Sequence, residues 1–159
     1  MTLRAVSLAA TAVVLILLLA GCPDASPVLD DDPYEPNESL ATAWFLDEVW
    51  ASDPPASWNA VISTSSDRDY FAVVAGDESS FVLPTDVEQF VLTVHLAPPE
   101  GIDLDLYLYE ESGTLIDSST GPAGSEETVD AVWSSTVGLE DSRTWVIEVR
   151  GADGGWGGG

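Results

Sequence analysis

Two groups of oxygen-bearing side chains carry the strongest chemical signal in this sequence. Glu35, Asn37 and Glu38 lie on a short segment that is stiffened by prolines. Asp67 and Asp69 are two residues apart, so an extended backbone directs both side chains to one side. Calcium prefers hard oxygen ligands from carboxylates and amide carbonyls, and these residue types provide them. Composition alone favours a plainer interpretation, in which these are solvated loop carboxylates and Asn37 caps a short helical turn.

A second group has the residue types of an active site or of a binding surface. Asp103 and Asp105 are two residues apart on one strand face, so their backbones stand about 7 Å apart, near the spacing of a glycosidase carboxylate pair. Catalytic carboxylates must flank a cleft, however, and exposed alternate positions of a half-buried strand explain the two residues more simply. Tyr107 and Tyr109 extend the same face. Together the four residues predict a polar and aromatic binding surface.

The other reactive residue types are too few for a familiar catalytic site. His95 is the only histidine and faces away from the apolar stripe of its strand, so neither a catalytic dyad nor a multi-histidine metal site has a second member. The sequence contains no GxSxG string, and its only cysteine, Cys22, has another predicted role. We therefore expect a non-enzymatic protein. A hydrolase acting on polysaccharide or peptide of the cell envelope is the alternative.

Cys22 closes the string LAGC directly behind an apolar run. Residues 1–21 combine a small positive start, eight consecutive apolar residues at 13–20 and two small residues before the cysteine, which is typical of a cleaved signal peptide. A membrane-spanning helix needs about 20 apolar residues, and Ser7 and Thr11 interrupt this run. The pattern resembles a bacterial lipoprotein signal. The resemblance implies cleavage before Cys22 and acylation of its thiol, which would attach the mature N-terminus to a membrane.

The mature chain is strongly acidic. Without residues 1–21 it has three arginines, no lysine and 28 acidic residues, a net charge of −25. Nucleic-acid binders need basic patches to displace counterions, so we expect no nucleic-acid partner. An apolar content of 45% with six tryptophans favours a packed core over an acidic disordered tail. A purely structural acidic surface protein stays open as a further alternative.

A tether follows the cysteine at residues 23–32. These ten residues reach at most about 35 Å when fully extended, which keeps the following domain near the membrane. The residue immediately after Cys22 is Pro23 and not the aspartate that marks inner-membrane retention in some bacteria. We therefore expect a lipid-anchored protein of the bacterial cell envelope, in the outer membrane rather than the inner one.

Short alternating runs beyond residue 58 predict an antiparallel β-sandwich. Clusters of Gly, Pro, Ser and Asp separate these runs, and alternation with a period of two is typical of strands that are covered on one side. The predicted strands lie at 60–64, 69–75, 88–96, 102–109, 114–118, 126–134 and 143–150. A short helical turn is predicted around residues 38–45.

Four strings give this chain a resemblance to a known family. They are DPYEPNES at 32–39, DRDYFAV at 67–73, DLDLYLYEESGTLI at 103–116 and TWVIEVRG at 144–151. In this order and spacing they resemble bacterial pre-peptidase C-terminal (PPC) domains over residues 32–151. The resemblance implies a non-catalytic, jelly-roll-like β-sandwich and a protein or polysaccharide partner of the envelope or extracellular matrix. It also implies calcium binding by Glu35, Asn37, Glu38, Asp67 and Asp69, with Pro33 where a further acidic residue is often found.

The resulting organisation has four parts. Residues 1–21 form the signal peptide, 22–57 the lipidated cysteine, tether and leading segment, 58–151 the PPC-like sandwich and 152–159 a glycine-rich tail. The chain departs from the family where a last strand usually follows the glycine-rich turn. Either Trp156 begins a truncated strand or the segment at 45–50 fills that edge. An edge without a partner strand invites strand addition or self-association.

Overall fold

The computed structural model of this chain describes residues 12–15, 33–51, 53–62, 67–76, 87–136 and 142–152. The predictions for Cys22, for the rest of the signal peptide and tether, and for the tail from residue 153 lie outside this part of the chain. The described residues are mainly strands, arranged in two sheets. The predicted all-β sandwich is therefore confirmed. The jelly-roll connectivity stays a prediction.

The two sheets contain three and five strands. In chain order the strands are β1 (Ala12–Leu15), β2 (Trp44–Trp50), β3 (Arg68–Gly76), β4 (Val87–Leu96), β5 (Leu104–Glu110), β6 (Leu115–Ser119), β7 (Glu127–Thr136) and β8 (Arg143–Gly151). The smaller sheet has the order β1-β4-β7 and the larger one the order β2-β3-β8-β5-β6. The pairs β1–β4 and β2–β3 are parallel, and the other pairs are antiparallel.

Alternation along the strands builds the core between the sheets. On β5, Leu104, Leu106 and Leu108 are buried, whereas Tyr107 and Tyr109 on the opposite face are only half-buried. The inward rows of β4, β7 and β8 are buried as well, and on β8 the outward residues Val146 and Glu148 are buried too; the inward rows are Phe90, Leu92, Val94, Leu96; Val129, Ala131, Trp133; and Trp145, Ile147, Val149. All these rows belong to one core cluster. Each fully buried leucine contributes about 1.5–3 kcal/mol, so this cluster is the main source of stability.

Strand β2 extends the sandwich to residues before 58. It pairs in parallel with β3, from Trp44 opposite Phe71 to Trp50 opposite Gly76, and was predicted only as one of two ways to fill an edge. The strand predicted at 60–64 is not found in its described part, residues 60–62, although Ala60 is buried there. Apolar residues that predicted a strand there are buried without forming one.

The predicted helical turn is a short 3-10 helix, Leu40–Thr42, whose N-cap is Ser39. The Ser39 N–H donates to Thr42 Oγ1 at 3.1 Å. The interpretation of Asn37 as a helix cap is wrong. Its backbone carbonyl instead accepts a hydrogen bond from the Tyr70 N–H at 2.9 Å, and the residue is completely buried. This bond fixes the leading segment, residues 33–43, against β3.

Side chains join the two sheets where β6 approaches β7. Asp117 Oδ2 accepts the Asp130 N–H at 3.0 Å. Glu127 is 1% exposed and accepts hydrogen bonds from the Ser119 hydroxyl and, at 2.9 Å, from the Gly121 N–H. These acceptors satisfy polar groups at the margin of the smaller sheet and limit strand addition there.

Strand β1 covers the other margin of the smaller sheet. It pairs with residues 93–96 of β4 and lies within the predicted signal peptide. Cleavage before Cys22 would remove β1 and leave this edge of β4 open in the mature protein.

Candidate functional site

A contact between aromatic rings and a backbone hydrogen bond place the leading segment beside the start of β3. The Tyr34 ring meets the buried Phe71 ring edge-on, with centroids 5.6 Å apart and planes at 86°. Three residues further on, the Asn37 carbonyl binds the Tyr70 N–H. Glu35 lies between these two fixed points, so its carboxylate is held next to β3 although more than 30 residues separate the two segments in sequence.

Three carboxylates converge at this corner. Glu35, Asp67 and Asp69 each offer an oxygen atom, and these oxygens all lie within 4.8 Å of one another. Asp69 is completely buried and shares the inward face of β3 with Phe71, whereas Glu35 and Asp67 are half-buried. Like charges at this separation repel, and a buried carboxylate needs compensation. A bound cation would supply that compensation.

The Asn37 side chain completes the group. One end of its amide lies 3.3 Å from Glu35 Oε2 and 3.2 Å from Asp69 Oδ1. With the amide nitrogen at that end, Asn37 donates to both carboxylates; with the amide oxygen there, it adds a fourth oxygen to the group. Calcium–oxygen distances of about 2.3–2.6 Å put neighbouring ligands roughly 3–3.5 Å apart, so the same spacing fits a bound cation.

The predicted ligands are thus brought together with one exception. Glu35, Asn37, Asp67 and Asp69 form the cluster, which we call the acidic corner. Glu38 is exposed and does not belong to the carboxylates that converge. The three carboxylates are hard oxygen donors, which suit calcium better than softer metals; Asn37 would add a fourth oxygen only with its amide turned, because in the hydrogen-bonded orientation its nitrogen donates to Glu35 and Asp69. Water and backbone carbonyls would supply the remaining ligands.

The predicted binding surface lies on the outer face of the larger sheet. Asp105, Tyr107 and Tyr109 are neighbours of β8 in the register, with Asp105 opposite Arg150 and Tyr107 opposite Glu148. Asp103 precedes β5, and its backbone carbonyl accepts the Ala152 N–H at 3.0 Å. The structure therefore places Asp105, Tyr107 and Tyr109 on β5 and Asp103 just before it, and the three on the strand contact charged partners on the adjacent strand.

These partners form a hydrogen-bonded network. The Tyr109 hydroxyl donates to Glu148 Oε2 at 2.6 Å, and the Tyr107 hydroxyl donates to Asp105 Oδ2 at 3.2 Å. Arg150 donates to the Tyr107 hydroxyl and lies over its ring, with Cζ 4.0 Å from the centroid. Glu148, only 1% exposed, is the most buried member.

Burial raises the pKa of several groups in this network. It raises the pKa of Asp105, against the smaller opposing effects of the Tyr107 hydrogen bond and the Arg150 charge. Burial and the bond to Glu148 raise the pKa of Tyr109 well above its ordinary value. Burial likewise raises the pKa of Tyr70, with the Glu148 charge as the next cause. The tyrosines of this face therefore stay protonated and act as donors.

Sequence reasoning missed the two charged residues that organise this face. Glu148 and Arg150 alternate with the inward row of β8, so the sequence places them outside, where charged residues are usually solvated. Their roles depend on the register of β8 with β3 and β5, which brings Arg68 within 3.6 Å of Glu148. Arg150 and Tyr107 are 43 residues apart in the chain, so the sequence carries no local signal for this contact.

No family model, curated protein or solved structure matches this chain. The resemblance to PPC domains therefore stays a prediction. In the part of the chain that the structure describes, no helix has the length and apolar character needed to cross a membrane.

Proposed function

We propose that this chain is a non-enzymatic, lipid-anchored protein of the bacterial cell envelope that acts as a binding or accessory module and is stabilised by calcium. The convergence of Glu35, Asn37, Asp67 and Asp69 in the acidic corner is the observation that supports this proposal most directly. The LAGC string before residue 23 supports the anchor.

Calcium in the acidic corner would join the leading segment to the sandwich. Glu35 and Asn37 belong to the leading segment, and Asp69 belongs to β3. A cation bound by both therefore clamps the residues that directly follow the tether onto the folded domain. Since only the folded chain assembles these ligands, binding stabilises the fold, by about 2.7 kcal/mol at a calcium concentration one hundred times the Kd.

The outer face of the larger sheet supports the binding role. Tyr107 and Tyr109 are half-buried and are held in place by Arg150 and Glu148. Aromatic rings fixed in this way lose little conformational entropy when a ligand covers them. A protein or polysaccharide of the envelope or extracellular matrix is the partner class that fits a polar and aromatic surface.

Calorimetric titration of the purified full chain with calcium tests the metal site. We expect heat of binding to the wild type and a melting temperature that rises with calcium. Asp69→Asn should abolish both effects, because it removes the buried charge while keeping the side-chain shape. Glu38→Gln is the matched control, since Glu38 is a nearby exposed carboxylate outside the acidic corner. It should bind calcium like the wild type.

Two results would contradict the calcium proposal. One is the absence of binding heat together with a melting temperature that a chelator leaves unchanged. The other is equal weakening by Asp69→Asn and Glu38→Gln, which would indicate diffuse attraction to an acidic surface rather than a site.

The anchor is tested separately by Cys22→Ser in the producing cell. Without the thiol no acyl chain can be attached, and we expect the folded protein to move from the membrane fraction to the soluble fraction. Several acyl chains hold a protein at the membrane almost permanently, so the expected change is close to complete. Retention in membranes of a Cys22→Ser protein from which residues 1–21 have been removed would contradict the acyl anchor.

A further inference from the structure

Two large aromatic side chains lie exposed on an outermost strand of the larger sheet. Trp44 is 42% exposed and Phe45 is 52% exposed, and both stand at the start of β2. Trp44 pairs with the inward residue Phe71 and Phe45 with Ala72, so the two side chains lie on opposite faces of the sheet margin. Together they form an apolar tip, which we call the aromatic edge.

The aromatic edge lies where the tether reaches the domain. The Trp44 ring contacts the Tyr34 ring, with centroids 6.0 Å apart at 64°, and Tyr34 is the second residue of the described leading segment. The tether between Cys22 and this segment reaches at most about 35 Å. Trp44 and Phe45 therefore lie at the end of the domain where the tether joins it, within reach of the bilayer.

The two ends of β2 differ in character, because exposed acidic residues follow the exposed aromatic residues along the strand. Asp47 and Glu48 are exposed and follow the aromatic residues by about 10 Å of strand. The apolar tip is thus at the tether end of β2, and Asp47 and Glu48 lie further along the strand. Aromatic side chains favour the boundary between lipid headgroups and acyl chains, whereas carboxylates avoid it.

We propose that the aromatic edge docks into the lipid surface that holds the acylated Cys22, so that the domain sits on the membrane in one orientation. This inference rests on the proposed lipid anchor and not on the calcium site. The docked face is the margin formed by β2, which leaves the outer face of the larger sheet available to a partner. The surface that Trp44 and Phe45 fit is zwitterionic phospholipid, because a net charge of −25 on the mature chain opposes anionic lipid.

Spin labels at introduced cysteines test this docking, since the natural cysteine is blocked by acylation. The lipidated full chain is placed in phosphatidylcholine vesicles with a nitroxide at Phe45→Cys or, as a matched control, at Val132→Cys. Val132 is 57% exposed and lies on β7 of the smaller sheet. At position 45 we expect higher accessibility to lipid-soluble oxygen than to a water-soluble nickel chelate, and at position 132 the reverse.

Three outcomes would overturn the proposal. If both labels favour the nickel chelate while the chain stays on the vesicles, the anchor stands and the docking does not occur. If position 45 is shielded from both reagents, a protein contact covers the aromatic edge instead of lipid. If the chain does not associate with vesicles at all, the anchor fails and the docking fails with it. Melting curves of the labelled variants check that both remain folded.

Discussion

Replacing Arg150 by Ala should lower the free energy of unfolding by about 3 kcal/mol, the low end of the range for breaking a buried ion pair, because the Arg150 side chain is itself 31% exposed. Arg150 Nη1 lies 3.8 Å from Glu148 Oε1, and its Nε lies 3.9 Å from Asp105 Oδ2. Its guanidinium also stacks on Tyr107.

The cost comes from the carboxylates that remain. Glu148 is 1% exposed and Asp105 is 9% exposed, so neither side chain can turn freely into water. In the variant the only cation left near Glu148, among the described residues, is Arg68, whose side chain is 53% exposed and therefore compensates poorly. Arg150→Lys should recover only part of the loss, because an ammonium group cannot stack on the Tyr107 ring as a planar guanidinium does.

The pH dependence of this stability loss tests whether uncompensated carboxylates cause it. Burial already raises the pKa of Asp105 above its ordinary value of 3.8, and loss of Arg150 should raise it further. A carboxyl group whose pKa is higher in the folded than in the unfolded state destabilises the fold as pH rises through that folded pKa. The difference between Arg150→Ala and the wild type should therefore be large near neutral pH and shrink on acidification.

Urea denaturation at neutral and acidic pH measures this difference. Arg143→Ala is the control. Arg143 is exposed on the same strand, and its substitution removes the same charge from the chain. It should resemble the wild type at both pH values. An equal loss in Arg143→Ala, or a loss in Arg150→Ala that does not depend on pH, would contradict a role for Arg150 in compensating buried carboxylates.

Local alternation made much of the sandwich predictable. Apolar and polar residues alternate along β5, and along β4 from Leu92 to Leu96, so these strands and their inward faces follow from the side chains alone. β2 was missed as a firm strand because WFLDEVW has no such alternation. Among the described strands it has one hydrogen-bonded neighbour, β3, and its position depends on that strand rather than on its own pattern.

The sequence shows the acidic residues of the candidate site but not which of them come together in the fold. The acidic residues are visible in the sequence, yet whether Glu35 or Glu38 turns toward β3 depends on contacts of Tyr34 and Asn37 with residues far along the chain. Asn37 illustrates the limit. An asparagine before a short turn looks like a cap, and only the bond from Tyr70 explains why it is buried instead.

The second large effect should come from Phe71→Ala, because the Phe71 side chain connects the core to the acidic corner. Phe71 is completely buried, and truncating a buried phenylalanine costs about 3–5 kcal/mol. The Tyr34 ring packs edge-on against Phe71, and Glu35 follows Tyr34 directly in the chain. Loss of the Phe71 ring should therefore loosen Tyr34 and, with it, the Glu35 carboxylate, so that calcium affinity falls as well as stability.

Phe90→Ala separates these two effects. Phe90 is almost as buried, at 1% exposed, but it stacks on Trp133 within the smaller sheet. Its truncation should cost a similar amount in urea denaturation while calcium binding by the folded protein, measured by calorimetry at low temperature, stays that of the wild type. Equal calcium affinities in the two variants would mean that the acidic corner is held by the Asn37–Tyr70 hydrogen bond without help from the core. A lower affinity only in Phe71→Ala would establish that the packing of one core ring positions a ligand of the calcium site.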